Sequence, residues 1–321
     1  MRGISMKGNF AIFGIAIATG LVTVAPTPAA AQAAPATPTT PLAVTGAPGD
    51  AYFIGWLAGK NEVPVRGGPA VGDRNGRAYV VIRISGNRVS YAARWSDIGS
   101  PTAFHIHKGK VRTNGDVKVG FFAEALPGSA RAVTGRVNVA DRGLLSAIKR
   151  SPSRYYLNLH TAQFPGGAVR AQLQRISRPV DLTGVLAHDT HTRLTANANG
   201  AQEVREAGKT VGDPDGSARW LIGVQRTTLR YTATWGNLDP VTNGHIHRGR
   251  TGVSGPVAAD LFADANGLPA SVRGLAGVVS VNRRLARSIL TSPRNWYTNL
   301  HTTEFADGAV RGQLRSAHGH R

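Results

Sequence analysis

The sequence predicts an all-β chain of two tandem antiparallel β-sandwich or barrel domains, each with one short helical segment. Two observations carry that expectation. The chain repeats itself: Val71-Gly72-Asp73 recurs as Val211-Gly212-Asp213, and Tyr91 to Trp95 recurs as Tyr231 to Trp235, both 140 residues on. Further along the offset becomes 141, so that Asn158-Leu159-His160-Thr161 returns as Asn299-Leu300-His301-Thr302. Within each copy, short runs of β-branched and aromatic residues alternate with Gly, Asn and Asp turn signals, the pattern of an antiparallel sandwich or barrel.

The elements follow in order. Residues 1–33 read as a signal peptide, because Arg2 and Lys7 precede an uncharged apolar run from Phe10 to Val24 and then small residues from Ala29 to Ala33. That run is shorter than the roughly 20 residues a membrane-spanning helix needs. Residues 34–49 are an uncharged Ala/Pro/Thr-rich linker. The first domain spans 50–176, with strands expected at Tyr52–Leu57, Ala78–Ile84, Val89–Trp95, Ala103–His107, Val117–Ala123, Ala132–Val139, Tyr155–His160 and Ala168–Leu173. A helical turn or two falls at Asp141–Lys149, capped by Asp141 and ended before Pro152, and Asn282 caps the equivalent segment of the second copy. Residues 177–189 form a Pro-containing junction, 190–315 the second domain and 316–321 a polar tail. Each half carries a full set of strands, so each is expected to fold alone.

The chain has no cysteine, which leaves burial, backbone pairing or bound metal to hold each fold and removes any thiol nucleophile. Its formal charge of +20 falls by two, to +18, when Arg2 and Lys7 leave with the signal. Such a charge favours salt-sensitive adsorption to anionic polymers. Most of the basic residues are scattered arginines, as coding bias alone would give. The mature chain shows no transmembrane segment and no nucleic-acid recognition motif, so no specific nucleic acid is expected. No Gly-rich phosphate loop, serine nucleophile elbow or zinc-protease helix is present, and one matched carboxylate per copy, Glu62 and Glu203, is not the pair that glycoside hydrolysis requires. Trp95, Trp235, Tyr91 and Tyr231 alternate on their strands and are expected in the core.

The runs Gly59-Lys60-Asn61-Glu62-Val63-Pro64, Ala103 to Gly109, Asn158 to Thr161 and Pro165 to Leu173, repeated through Glu203-Val204, His245 to Gly249, Asn299 to Thr302 and Gly308 to Leu314, resemble the CHRD (chordin-repeat) domain family in motif and order. The resemblance covers most of the mature chain. It implies a secreted or extracellular β domain without catalytic activity; the expected partner is an extracellular protein or, from the charge, an anionic cell-surface polymer. The chain departs from the family pattern at Ala168 and Ala309, where an acidic residue is usual, and at Arg205, where proline is usual.

His105 and His107 on one strand project to the same face with Cα atoms about 6.6 Å apart, a spacing that lets two imidazoles meet one metal ion. His160 would add a third ligand from another strand, and His245, His247 and His301 form the second set. A three-histidine set suits zinc or copper with one position left open. The competing reading makes these histidines structural, bonded to buried backbone. His188, His191, His318 and His320 fall outside the repeated motifs and are expected in solvent. The order of a His-x-His strand, a later His-ended strand and a Gly-rich turn into an Arg-bearing strand also resembles copper-zinc superoxide dismutase. That likeness implies a copper-dependent redox enzyme as the alternative function, with Arg170 and Arg311 near the histidines to attract anions.

Overall fold

The computed structural model describes residues 49–238 and 240–317. The expected signal peptide, nearly all of the linker and most of the polar tail, with His318 and His320, lie outside the described residues. The first copy runs β1 (Ala51–Ala58), β2 (Arg77–Ser85), β3 (Arg88–Ser96), β4 (Pro101–Lys108), β5 (Val117–Phe122), β6 (Ala130–Asn138), α1 (Arg142–Arg150), β7 (Tyr155–Thr161), β8 (Val169–Gln172) and β9 (Gln174–Ile176). After α2 (Leu182–Ala187), the second copy repeats this as β10 (Leu194–Asn199), β11 (Ser217–Gln225), β12 (Thr228–Gly236), β13 (Val241–Arg248), β14 (Val257–Ala263), β15 (Val272–Ser280), α3 (Arg283–Thr291), β16 (Trp296–Thr302), β17 (Val310–Gln313) and β18 (Arg315–Ser316). The eight expected strands of the first copy are all present within a few residues. The short strand β9 and the junction helix α2 are additions to the sequence reading.

Each copy is a two-sheet antiparallel fold. The large sheet of the first runs β9-β1-β2-β3-β6, and the small sheet runs β5-β4-β7-β8. The β8–β9 segment links them, since Arg170 also pairs with Ala58 of β1. Alternation along the strands explains the packing: Phe104 and Ile106 of β4 and Leu157 and Leu159 of β7 face the core with Val80, Ile82 and Tyr91 of the large sheet, all buried. Trp95 and Trp235, with Tyr231, are core residues as expected. The helix caps are also as read: the Asp141 carboxylate accepts from the Leu144 amide at 2.8 Å, and the Asn282 side chain accepts from Leu285 at 2.8 Å.

The two copies are joined edge to edge. β6 pairs with β15, so the large sheets merge into one continuous sheet with β3 and β12 flanking the seam. The register is reciprocal: Val272 faces Gly135 while Gly277 faces Ala130, and Val133 and Leu275 face each other at the centre. The seam thus has the self-complementary form of a twofold interface. Tyr91 bonds Ser271 at 3.2 Å and Tyr231 bonds Ser129 at 2.9 Å, each crossing from one copy to the other. Glycine is required at Gly135 and Gly277, because a Cβ would stand 2.2 Å from the Ser271 carbonyl oxygen and 2.4 Å from that of Ser129. Helix α2, capped by Asp181, lies over the seam: Val185 packs on Val81 and Ala92, and Leu186 on Ala132 and Ala276. The described residues belong to one compact unit.

Candidate metal centre

The polar site forms on the outer face of the small sheet, because the residues opposite Phe104, Ile106, Leu157 and Leu159 must point away from the core. In register, Ala103 pairs with His160, His105 with Asn158 and His107 with Tyr156, and Asn158 pairs onward with Arg170. One face therefore presents His105, His107, Tyr156, Asn158, His160 and Arg170. The second copy presents His245, His247, Tyr297, Asn299, His301 and Arg311 in the same register.

All six sequence-predicted histidines converge into two triads, with one ring nitrogen of each histidine within 4.8 Å of the others in its set. Two rings of each triad have their tautomer fixed by backbone. His107 Nδ1 lies 2.9 Å from the Gly115 carbonyl and His160 Nδ1 3.0 Å from that of Pro165, and a carbonyl can only accept, so both nitrogens carry the proton. His247 and His301 are held alike by Gly255 at 3.0 Å and Ala306 at 2.9 Å. Their Nε2 atoms keep free lone pairs. The Nε2 atoms of His107 and His247 are buried and have no hydrogen-bond partner. His160 Nε2 lies 3.3 Å from His105 Nδ1, and His301 Nε2 3.1 Å from His245 Nδ1. These separations match the edge of about 3.3 Å that two nitrogens 2.0–2.1 Å from a tetrahedral ion would span.

Burial, and after it the neighbouring rings, holds His105 and His245 down to about 4. Burial also holds His107, His160, His247 and His301 below the ordinary imidazole value. All six rings are therefore neutral at pH 7, the form that ligates metal. In the second copy a carboxylate reaches the first histidine of the triad: Asp260 lies 3.4 Å from His245 Nε2, while Gly120 occupies its place beside His105. His188 and His191 are exposed, as expected.

Arg170 and Arg311 are near the triads but cannot attract anions, which corrects the reading drawn from superoxide dismutase. They are 1% and 2% exposed. Arg170 lies over the Tyr156 ring at 3.3 Å and donates to the carbonyls of Lys110 and Thr113 and to Asn114 Oδ1. Arg311 lies over Tyr297 at 3.5 Å and donates to the carbonyls of Arg250 and Val253. Tyr156 and Tyr297 in turn stack on His107 and His247, with rings nearly parallel and centroids 4.8 Å apart. The arginines pin the loop that supplies Gly115 or Gly255, and so they position the histidines.

Sequence reasoning missed the carboxyl layer behind the triads. Glu62 and Glu203 are half-buried, and burial raises each to about 7 against the pull of Arg170 or Arg311 and of Asn158 or Asn299. Asn158 Nδ2 lies 3.5 Å from Glu62 Oε2. Gly167, at φ +134°, closes against this pair, and a Cβ there would stand 2.7 Å from Glu62 Oε1. The repetition of Glu62 and Asn158 at Glu203 and Asn299 was the available signal.

The CHRD domain model matches residues 55–173 and 194–314. No curated protein and no solved structure matches the chain. CHRD domains are extracellular-type binding modules of a non-enzymatic kind. No helix among the described residues is long and apolar enough to cross a membrane. With two matches that together cover most of its length, in the positions where the two-sheet fold repeats, this chain belongs to the CHRD domain family.

Proposed function

We propose that this chain is an exported, non-catalytic binding protein whose two CHRD domains, at about 50–176 and 190–315, each hold one divalent transition-metal ion. His105, His107 and His160 would supply the first site, and His245, His247 and His301 the second. One observation carries the reading: the Nε2 atoms of His107 and His247 are buried without a partner while the opposite nitrogen of each ring is tied to a carbonyl. A buried acceptor left alone costs about 1–3 kcal/mol, and a cation in the triad would satisfy it. The backbone carbonyls that orient the rings are the usual outer partners of histidine ligands. Three imidazoles suit zinc(II) or copper(II) and leave one position for water or a ligand.

The test is calorimetric titration of zinc(II) and copper(II) into chelator-stripped, untagged protein, with His107→Ala, His247→Ala and the double variant alongside. The expected stoichiometry is near two, falling by about one with each substitution. If the stripped protein takes up neither ion, or the double variant binds as the parent does, the histidines are structural. Copper-loaded protein that dismutes superoxide faster than the same copper in buffer would move the reading to the redox alternative.

A further inference from the structure

The outer face of the large sheet differs between the copies, and it leaves one aromatic surface uncovered in the first. Trp56 of β1 points away from the core and is 59% exposed. Its ring packs on Tyr79 of β2 with centroids 4.3 Å apart, and the Arg94 guanidinium of β3 lies 5.5 Å from the Tyr79 centroid. Trp56 stands between two depressions. One, of about 440 Å³, is walled by Arg77, Arg94 and Asp189. The other, of about 690 Å³, is walled by Lys60, Val111, Arg112 and Gln174, with Arg170 and Glu62 also on its lining. Leaving the buried Arg170 aside, Arg77 and Arg94 outnumber Asp189 in the first and Lys60 and Arg112 outnumber Glu62 in the second, and Asp189 is paired with His188 at 2.7 Å. The second copy has no such surface: by register, Asn197 stands for Trp56, Arg219 for Tyr79 and Thr234 for Arg94.

We propose that the groove through Trp56 binds an acidic polysaccharide, with one sugar ring lying on the indole and carboxylates of neighbouring sugars meeting Arg94 on one side and Lys60 and Arg112 on the other. This names the partner class for the binding role proposed above and does not involve the histidine triads. An exposed indole is costly to leave in water, and its flat π-face suits the C–H face of a pyranose ring. Guanidinium groups pair carboxylates with two parallel hydrogen bonds. Depressions on both sides of the ring let a linear chain continue in each direction. A single-stranded nucleic acid would instead stack successive bases on successive aromatic rings, and Trp56 is the only aromatic among the large exposed apolar side chains of the described residues.

The test uses the full chain and polygalacturonate as probe, at about 0.15 M salt so that diffuse attraction to the positive chain is screened. The other four tryptophans, Trp95, Trp220, Trp235 and Trp296, are buried, so acrylamide quenching of tryptophan fluorescence reports on Trp56. The polymer is expected to shield that fluorescence in the parent, and calorimetric titration of the variants is expected to show Trp56→Ala binding about ten-fold more weakly. Trp56→Phe should retain most of the affinity, and Asn197→Ala, in the second copy, should change nothing. Unaltered circular dichroism and metal uptake in Trp56→Ala would separate a lost site from a lost fold. The His107→Ala/His247→Ala variant should bind the polymer as the parent does, which keeps failure of the metal sites distinct from failure of the groove. Polygalacturonate binding that survives Trp56→Ala undiminished, or tighter binding of oligodeoxythymidine than of the polyuronate, would overturn the proposal.

Discussion

The two copies agree on one face and part company on another. On the outer face of the small sheet, every residue of the triad, the stacked tyrosine, the buried arginine and the asparagine recur in the same register, and Glu62 beside Asn158 recurs as Glu203 beside Asn299. On the outer face of the large sheet, Trp56, Tyr79 and Arg94 give way to Asn197, Arg219 and Thr234. The difference follows from what each face touches. The polar face is roofed by its own loops, so a change in one member leaves a buried polar partner unsatisfied. The other face meets solvent outside the strip that α2 covers, and substitutions there break nothing inside.

The comparison is strained most by the buried arginines. Arg170→Ala or Arg311→Ala should each cost about 4 kcal/mol in urea unfolding, since each leaves two buried loop carbonyls without their donor and a cavity over the tyrosine ring. Arg170 makes one bond more than Arg311, to Asn114 Oδ1, so its loss should exceed the other by about 1 kcal/mol. Equal costs would mean that the extra bond to Asn114 adds nothing.

The paired carboxyls come next, through pH. Glu62 and Glu203 titrate near 4.5 when unfolded and about 7 in the fold, so their contribution to stability is complete below 4.5 and is lost as pH rises through 7. Glutamine cannot titrate. The stability of Glu62→Gln relative to the parent should therefore rise by about 3 kcal/mol between pH 4.5 and pH 8, and Glu203→Gln should do the same. A pH-independent difference in either copy would show that its carboxyl is not held in the protonated form.

Smaller effects separate the copies at the triads. Asp260 orients His245, so Asp260→Ala should weaken metal uptake in the second copy about ten-fold and leave the first unchanged, while Gly120→Asp should strengthen the first. Smallest are the seam serines. Ser271→Ala removes one bond to Tyr91 and should cost about 1 kcal/mol, whereas Ser129→Ala also loses a 2.7 Å bond to the Leu261 carbonyl and should cost more.

Much of this was legible in the sequence because period-two alternation carries both the core and the site. Phe104 and Ile106 alternate with His105 and His107, so the strand that fills the core also aims two imidazoles at the opposite face. The third histidine and both helix caps followed from the repeat itself. What stayed hidden depends on contacts between distant segments. Nothing local to Glu62 announces that Asn158, 96 residues on, and Gly167 will close over it. Arg170 looked free because its partners are mostly backbone carbonyls, which no side-chain pattern reveals. The seam was equally silent, since β6 and β15 have the alternation of any strand and their pairing shows only in the reciprocal register.

That seam has a consequence for how the molecule behaves when dispersed. Two separate subunits meeting through a self-complementary strand would drift apart once their concentration fell below the dissociation constant. Here the junction carries the chain back across the sheet and keeps the second partner within reach at any dilution. The paired edges also leave no unpaired strand at the centre of the molecule to template association with a stranger. The chain is in effect a dimer that remains assembled as a lone molecule.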